Sequence, residues 1–131
     1  MKDINTLILR WLKFAEEDLI IAEDIFSGQH PIYRSICFQC QQSVEKNLKA
    51  YLIKFDVQII KTHDIEHLIN VLAAYDNDIE KFQKPTNRFT NYAVTYRYPD
   101  DFEDITKDEA EHAIKIATEI EKYITQKIVL N

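Results

Sequence analysis

The sequence predicts an all-α fold, an up-and-down antiparallel bundle of four to five helices that forms one domain over residues 1–131. Three observations predict it. The chain has one glycine and three prolines, whereas hairpins and barrels need glycine where φ is positive. Apolar residues recur at helical spacing over several long segments. With 131 residues, 46% hydrophobic and 29% charged, the chain has the size and composition of one globular domain.

The first two helices have the most regular patterns. Residues 7–26 carry an apolar face at helical spacing, and Ser27 and Gly28 end this helix. Pro31 is suited to begin the second helix, which runs to about Phe55. The apolar stripe of the second helix comprises Tyr33, Cys37, Cys40, Val44, Leu48, Tyr51 and Phe55.

Shorter helices follow. Thr62 is suited to cap a third helix over about 64–75. A fourth helical region, about 78–96, is expected to bend near Pro85 and to end before Pro99.

The last helix opens with a capping box, in which Thr106 accepts from the backbone N–H of Glu109 and the Glu109 side chain reaches back. Its predicted buried residues are Ala110, Ala113, Ile114, Ala117, Ile120, Ile124 and Ile128.

Composition excludes several classes of function. A single glycine cannot build a phosphate-binding P-loop or a GxGxxG fingerprint. The net charge of −6 disfavours binding of nucleic acid by bulk electrostatics. The N-terminal segment reads as neither a signal peptide nor a membrane span, so we expect a cytoplasmic protein.

The CxxC formed by Cys37 and Cys40 is interpreted as packing. Both cysteines fall inside the apolar arc of the second helix, and no second pair of ligands is present to complete a zinc site. A redox CxxC belongs at the start of a helix, whereas this one lies about two turns inside. We therefore predict no metal site.

Two polar rows border the apolar stripe of the second helix. Gln41, Glu45 and Lys49 form one row at i, i+4 and i+8, and Gln42 with Lys46 forms the row beside it. Both rows have the geometry to face a groove. The alternative is a solvated helix face with a favourable Glu45–Lys49 pair, and the spacing alone leaves both interpretations open.

Asp18 lies at the margin of the first helix's apolar face, where an unpaired carboxylate is costly. It requires a partner, for which Lys46, Lys49 or Arg97 is a candidate. Such a pair is as compatible with a structural role as with a functional one.

The segment "NYAVTYRYPDDFED" combines tyrosines, including Tyr92, with Arg97. This is suitable chemistry for holding a phosphate while a base or ribose packs on a ring. Equally, the tyrosines can pack on the bundle while Arg97 pairs with nearby acids. His63, at the start of the third helix, can cap that helix or line the same groove.

Several segments together resemble a HEPN domain: "AEEDLIIAEDIF", "CFQCQQSVEKNLKAYLI", "KTHDIEHLINVL", "YRYPDD" and "DEAEHAIKIA". The resemblance runs from about Trp11 to Tyr123. The residues that match the signature of the family's second helix are Phe38, Gln41, Gln42, Glu45, Lys46, Leu48, Lys49 and Ala50. The family's THD and RYP landmarks are matched by Thr62, His63 and Asp64 and by Arg97, Tyr98 and Pro99.

The resemblance implies a prokaryotic helical bundle, usually a homodimer, often encoded beside a minimal nucleotidyltransferase, for which nucleotide binding has been proposed. A related branch comprises ribonuclease toxins with an arginine followed after four to six residues by histidine. None of Arg10, Arg34, Arg88 and Arg97 has a histidine at that spacing. Catalysis by that motif is therefore not expected.

The sequence thus leads to a non-catalytic nucleotide-binding or accessory module, dimeric and paired with a nucleotidyltransferase as in toxin–antitoxin systems, with no cofactor. The expected ligand-binding residues are Asp18, Gln41, Gln42, Glu45, Lys46, Lys49, His63, Tyr92 and Arg97. Arg97 and the lysines would bind phosphate, the tyrosine would stack, and the glutamines would contact base or ribose edges. RNA is a less expected ligand. The alternatives are a ribonuclease with an atypical site and a purely structural dimerisation module.

Overall fold

The computed structural model of the protein describes residues 3–58, 61–95 and 104–128. Its helical elements are α1 (Ile4–Phe26), α2 (Tyr33–Lys54), α3 (Ile65–Ala73), a 3₁₀ helix (Asn77–Phe82), α4 (Phe89–Thr95) and α5 (Lys107–Lys127). The described residues contain no strand. The predicted all-α fold is therefore confirmed.

Local hydrogen bonds explain where α1 and α3 begin. The Asp3 carboxylate accepts from the backbone N–H of Asn5 at 3.1 Å, so α1 begins earlier than predicted. For α3 the predicted cap was wrong by two residues, because Asp64 caps the helix by accepting from His67 N–H. The Thr62 hydroxyl instead accepts from the N–H of Asp64 at 3.1 Å.

A Schellman motif ends α2. Val57 N–H donates to Leu52 O at 3.0 Å, and Asp56 N–H donates to Ile53 O at 2.9 Å. Asp56 occupies the left-handed position, with φ of 61°, which aspartate tolerates better than most residues. The chain leaves α2 there and continues toward His63.

The predicted fourth helical region is two separate elements. The 3₁₀ helix Asn77–Phe82 and α4 are divided by a turn that contains Pro85, since proline and the residue before it disfavour a continuous helix. The Thr86 hydroxyl, which is buried, donates to Phe82 O at 2.6 Å across this turn. The predicted stop at Pro99 lies outside the described residues.

The predicted cap of α5 is confirmed, because the Thr106 hydroxyl accepts from Glu109 N–H at 3.1 Å. The Glu109 side chain, expected to reach back to Thr106, accepts from the Tyr92 hydroxyl on α4 at 2.7 Å. Within α5, Ile116 is buried, whereas Ile114, which was predicted to be buried, is only partly so.

The directions of the long helices follow from their contacts. The Ser43 hydroxyl donates to Ala15 O at 2.8 Å while Ala50 packs near Ile8, so α1 and α2 are antiparallel. Cys37, near the start of α2, lies close to Glu109, near the start of α5. Further along the two helices, the hydroxyls of Tyr51 and Tyr123 both donate to the Asp76 carboxylate. Helices α2 and α5 are therefore parallel. The shorter helices between them return the chain. Helix α2 is therefore central, with residues on most sides buried.

Candidate functional site

The carboxylate of Glu45 is the centre of a buried polar network. Its Oε1 accepts from Gln41 Nε2 at 3.0 Å and lies 2.8 Å from His63 Nδ1, and its Oε2 accepts from Lys49 Nζ at 3.0 Å. Glu45 is only 4% exposed. Because a carboxylate is an acceptor only, His63 Nδ1 is the protonated ring nitrogen in this contact.

The first polar row predicted from the sequence, Gln41, Glu45 and Lys49, therefore does not line an open groove. Gln41 is fully buried and Lys49 is 6% exposed. Gln41 Nε2 also donates to the backbone carbonyl of His63 at 3.2 Å, so the segment before α3 covers this row. On the other side, Lys49 Nζ lies 5.8 Å from the centre of the Trp11 ring. These contacts leave little of the row's side-chain surface exposed.

The second polar row, Gln42 and Lys46, is half-buried and reaches the surface. Lys46 Nζ donates to the Asp18 carboxylate at 2.5 Å, which identifies the partner that Asp18 requires. The side chains of Lys46 and Asp18 are 22% and 15% exposed. This pair joins α1 to α2 and fixes the position of the ammonium group.

A cavity of 180 Å³ adjoins this row. Gln42 and His63 contribute polar groups to its wall, and the His63 side chain is 66% exposed. The full lining is Phe38, Gln42, His63, Asp64, Thr90, Ala93 and Val94. Gln42 Nε2 donates to Gln41 Oε1 at 2.6 Å, which ties the cavity wall to the buried network.

Tyr92, which was predicted to stack on a ligand, is buried on α4 and does not line the cavity. The side chain is 5% exposed and its ring packs on Phe89, with ring centres 5.3 Å apart. Burial and the hydrogen bond to Glu109 raise the pKa of the Tyr92 hydroxyl. A ring packed in this way has no free face for a ligand. Arg97 lies outside the described residues.

The two cysteines are core residues, as predicted. Cys37 and Cys40 are fully buried and are not joined in a disulfide. Burial raises the pKa of the Cys37 thiol to about 12 and also raises that of Cys40. Among the residues described, no group of three or more His, Cys, Asp or Glu is arranged to hold a metal ion.

The sequence reasoning missed the contribution of α4 to the cavity, namely Thr90, Ala93 and Val94. It treated this segment only as the source of Tyr92. The available signal was helical spacing, because Thr90 and Ala93 flank Tyr92 and must face another direction when Tyr92 is inward. Phe38, one turn before Gln42 on α2, was noted only as part of the family signature.

Fold and site together define a small all-α bundle whose central helix carries a buried carboxylate network and a half-exposed polar row. The family model of the HEPN domain matches residues 8–128. The chain therefore belongs to the HEPN family.

Two solved structures are similar over nearly the whole chain. TT1696 from Thermus thermophilus is 27% identical, with a TM-score of 0.78, over 92% of this chain and 98% of that chain. ST0689, an archaeal HEPN homologue, is 25% identical, with a TM-score of 0.67, over 98% of this chain and 100% of that one. The comparison with curated proteins gives no match. None of the helices in the described ranges is long and apolar enough to cross a membrane.

Proposed function

We propose that this HEPN chain is a non-catalytic module that binds a nucleotide beside the second polar row of α2. The observation that carries the proposal is the position of Lys46, Gln42 and His63. Gln42 and His63 line one small cavity, Lys46 is half-buried one helical turn beyond Gln42, and each of the three is held by a partner within the fold. Such preorganisation lowers the entropy cost of binding.

The buried network has a positioning role in this proposal. Glu45 contacts Gln41, Lys49 and His63 and is only 4% exposed, so it is not available to a ligand. By accepting from Nδ1 it fixes the orientation of the His63 ring and leaves Nε2 as the second polar atom of a largely exposed ring. Gln41, Glu45 and Lys49 thus act through His63 and Gln42.

Lys46 is the proposed phosphate contact. An ammonium group has three donors, and one of them is directed to Asp18. The remaining two are available to phosphate oxygens, and Asp18 keeps the flexible side chain in place. Asp18 is therefore a positioning residue in the proposal rather than a ligand contact.

The cavity limits what part of a nucleotide it can accept. Ligand pockets for whole drug-sized molecules usually measure about 300–1,000 Å³, whereas this one measures 180 Å³. A base or a ribose is therefore the proposed occupant. Phe38, Ala93 and Val94 provide apolar contact, and the Gln42 carboxamide can bond to a polar edge.

The charges around the cavity favour a small ligand over a long polyanion. Lys46 is balanced by Asp18, and Asp64 lies on the cavity wall. The net charge of the chain is −6. Because affinity for nucleic acid depends on many neutralised phosphates, we propose a mono- or polyphosphate nucleotide before RNA.

The proposal includes a homodimer in a prokaryotic cytoplasm with a minimal nucleotidyltransferase as partner. The family resemblance supports this, and both similar structures come from prokaryotic sources, Thermus thermophilus and an archaeon. Co-expression with the product of a neighbouring nucleotidyltransferase gene should give a complex that survives gel filtration. Separate elution of the two proteins at micromolar concentration would remove the partner from the proposal.

Calorimetric titration tests the binding proposal. ATP, GTP and a short RNA are titrated into the wild-type chain, Lys46→Ala and Lys115→Ala, the last being an exposed lysine on α5. We expect saturable heat when a nucleotide is titrated into the wild-type chain. Lys46→Ala should weaken the affinity by about tenfold or more, because a charged hydrogen bond contributes about 1.5–3 kcal/mol. Lys115→Ala should leave the affinity unchanged. No heat with any of the three ligands would contradict the proposal.

A purely structural dimerisation module is the second candidate, favoured by the three partners within the fold that the buried Glu45 carboxylate has. In that case the polar network would only join α2 to the segment before α3. No nucleotide would then raise the melting temperature, whereas a ligand that binds the folded chain raises it further as its concentration increases above the Kd.

A further inference from the structure

A second apolar stripe runs along α1, beside the stripe that faces the core. Its members alternate at spacings of three and four residues, which is the a and d pattern of a heptad repeat. We call this stripe the outer seam. Its apolar members are Ile4, Leu7, Trp11, Phe14, Ile21 and Ile25, and the remaining heptad position is Asp18, whose carboxylate is paired with Lys46. The core stripe uses other positions of the same helix, including Ile8, Ala15, Leu19 and Ala22.

The outer seam is substantially exposed. Ile4 is 52% exposed, Phe14 51% and Ile21 43%, whereas Trp11 and Ile25 are half-buried against the core. Three of the eight exposed large hydrophobic residues in the described chain, Ile4, Phe14 and Ile21, lie on the outer seam. A concentration of apolar surface on one helix is typical of an interface.

We propose that the outer seam packs against the outer seam of a second copy of this chain, with the two α1 helices antiparallel. The inference rests on the homodimer of the proposed function and names the surface that forms it. The two-fold axis passes near Phe14, the middle of the seam. Phe14 then packs on Phe14 of the second copy, and Leu7 packs on Ile21 of the second copy.

The spacing of the seam supports pairing with itself. Leu7 and Ile21 are each seven residues from Phe14, so a two-fold rotation about Phe14 places each on the other. In an interface with two-fold symmetry, residue i contacts residue j and residue j contacts residue i. The same rotation brings Ile4 near Ile25 of the second copy, whereas Trp11 comes near Asp18 of the second copy.

Charge complementarity supports the antiparallel direction. Arg10 and Glu17 are exposed on the flank of the seam that faces away from α2, and neither forms an ion pair within the described part of the chain. They are about 10.5 Å apart along the helix axis. The two-fold axis places Arg10 of each copy next to Glu17 of the other, giving two ion pairs that bracket Phe14.

The ends of the seam are less favourable. In the same register Asp3 faces Asp24 of the second copy, and both are exposed. Solvent screens such a repulsion at physiological ionic strength, and the Asp3 carboxylate already caps α1. The central contacts around Phe14 therefore determine the pairing.

Sedimentation equilibrium tests the seam with matched variants. Phe14→Glu places a charge at the axis, and Leu9→Glu places the same charge on the same helix, outside the seam, at a residue that is 52% exposed. We expect the wild-type chain to be a dimer. Phe14→Glu should raise the dissociation constant of the dimer by about thirtyfold or more, as expected for a residue at the centre of an interface. Leu9→Glu should remain a dimer with unchanged affinity. Circular dichroism establishes that each variant is folded.

Arg10→Glu provides a second test at an exposed residue that folding does not require. It should weaken the dimer, and Arg10→Glu combined with Glu17→Arg should restore it. Direction is tested by disulfide crosslinking, in which Leu7→Cys should crosslink with Ile21→Cys in a mixture but not with itself. The native cysteines do not interfere because both are buried.

The outcomes separate this inference from the binding proposal. Three results would contradict pairing through the outer seam. The wild-type chain could be a monomer, the Phe14→Glu variant could remain a dimer, or Leu9→Glu could dissociate as much as Phe14→Glu. Nucleotide titration of the folded Phe14→Glu monomer is independent of this result. Binding by that monomer would leave the nucleotide site intact even if the seam were wrong.

Discussion

The Glu45 carboxylate and the His63 imidazole are joined by a contact of 2.8 Å between Oε1 and Nδ1, across 18 positions of sequence. The same carboxylate accepts from Lys49 and Gln41 on its own helix. This contact links the segment before α3 to the centre of the bundle. It also separates the polar residues of α2 into a buried row and a half-exposed row.

Loss of the Glu45 charge should destabilise the fold. Glu45→Gln leaves the buried ammonium of Lys49 without its anionic partner, and breaking a buried ion pair costs about 3–5 kcal/mol. Urea denaturation measures the free energy of unfolding. Glu111→Gln, at an exposed position of α5, is the control and should change stability by less than about 0.5 kcal/mol. Equal stability of the two variants would show that the network contributes nothing.

Removal of a buried amide should have the opposite effect. Asn47 is fully buried, and neither polar atom of its carboxamide has a hydrogen-bond partner in the described chain. An unsatisfied buried group costs about 1–3 kcal/mol, and leucine has a similar shape. Asn47→Leu should therefore raise the melting temperature in differential scanning calorimetry. A lower melting temperature would mean that this amide has a partner not accounted for.

The two thiols should be inert in the folded protein. Burial raises the pKa of Cys37 to about 12 and raises that of Cys40, so the reactive thiolate is scarce at pH 8. We expect no reaction with a chromogenic disulfide reagent under native conditions and reaction of both thiols in urea. Rapid native reaction, or zinc binding by the reduced protein, would contradict the packing role.

Acid should weaken the fold partly through Asp76. Burial alone would raise the pKa of this carboxyl, but hydrogen bonds from Tyr123 at 2.5 Å and Tyr51 at 2.7 Å hold it below its usual range. Because the folded pKa is lowered, the stabilisation is present above the unfolded pKa of about 4 and is lost as the pH falls through the folded value.

The test of this pH dependence compares the wild type with Asp76→Asn. Urea denaturation midpoints are measured at a series of pH values below 5. The wild type should lose more stability over this range than the variant, which cannot titrate at this position. Parallel pH profiles would exclude Asp76 as a source of acid sensitivity.

The fold was largely predictable from local sequence. Helical periodicity gave α1, α2 and α5, and the capping pattern placed Thr106 correctly. Periodicity also placed Cys37 and Cys40 in the core. Errors occurred where a competing side chain or a proline decided the outcome, as with Asp64 in place of Thr62 and the division of the fourth region near Pro85.

The site was less predictable because its exposure depends on distant segments. Helical spacing identified the row of Gln41, Glu45 and Lys49 but not the segment around His63 that covers it. The contribution of Thr90 to the cavity likewise depends on how α4 packs against α2. Spacing within one helix gives the neighbours of a residue along that helix, whereas burial is decided by tertiary contacts.

The central claim is that the half-exposed row of α2 and the adjoining cavity bind a nucleotide. Titration of the ¹⁵N-labelled chain with ATP, followed by heteronuclear NMR, tests it most directly. We expect saturable shift changes concentrated at Phe38, Gln42, Lys46, His63 and Thr90. Absence of shift changes, or changes confined to the separate surface around Lys81, Lys122 and Tyr123, would contradict it.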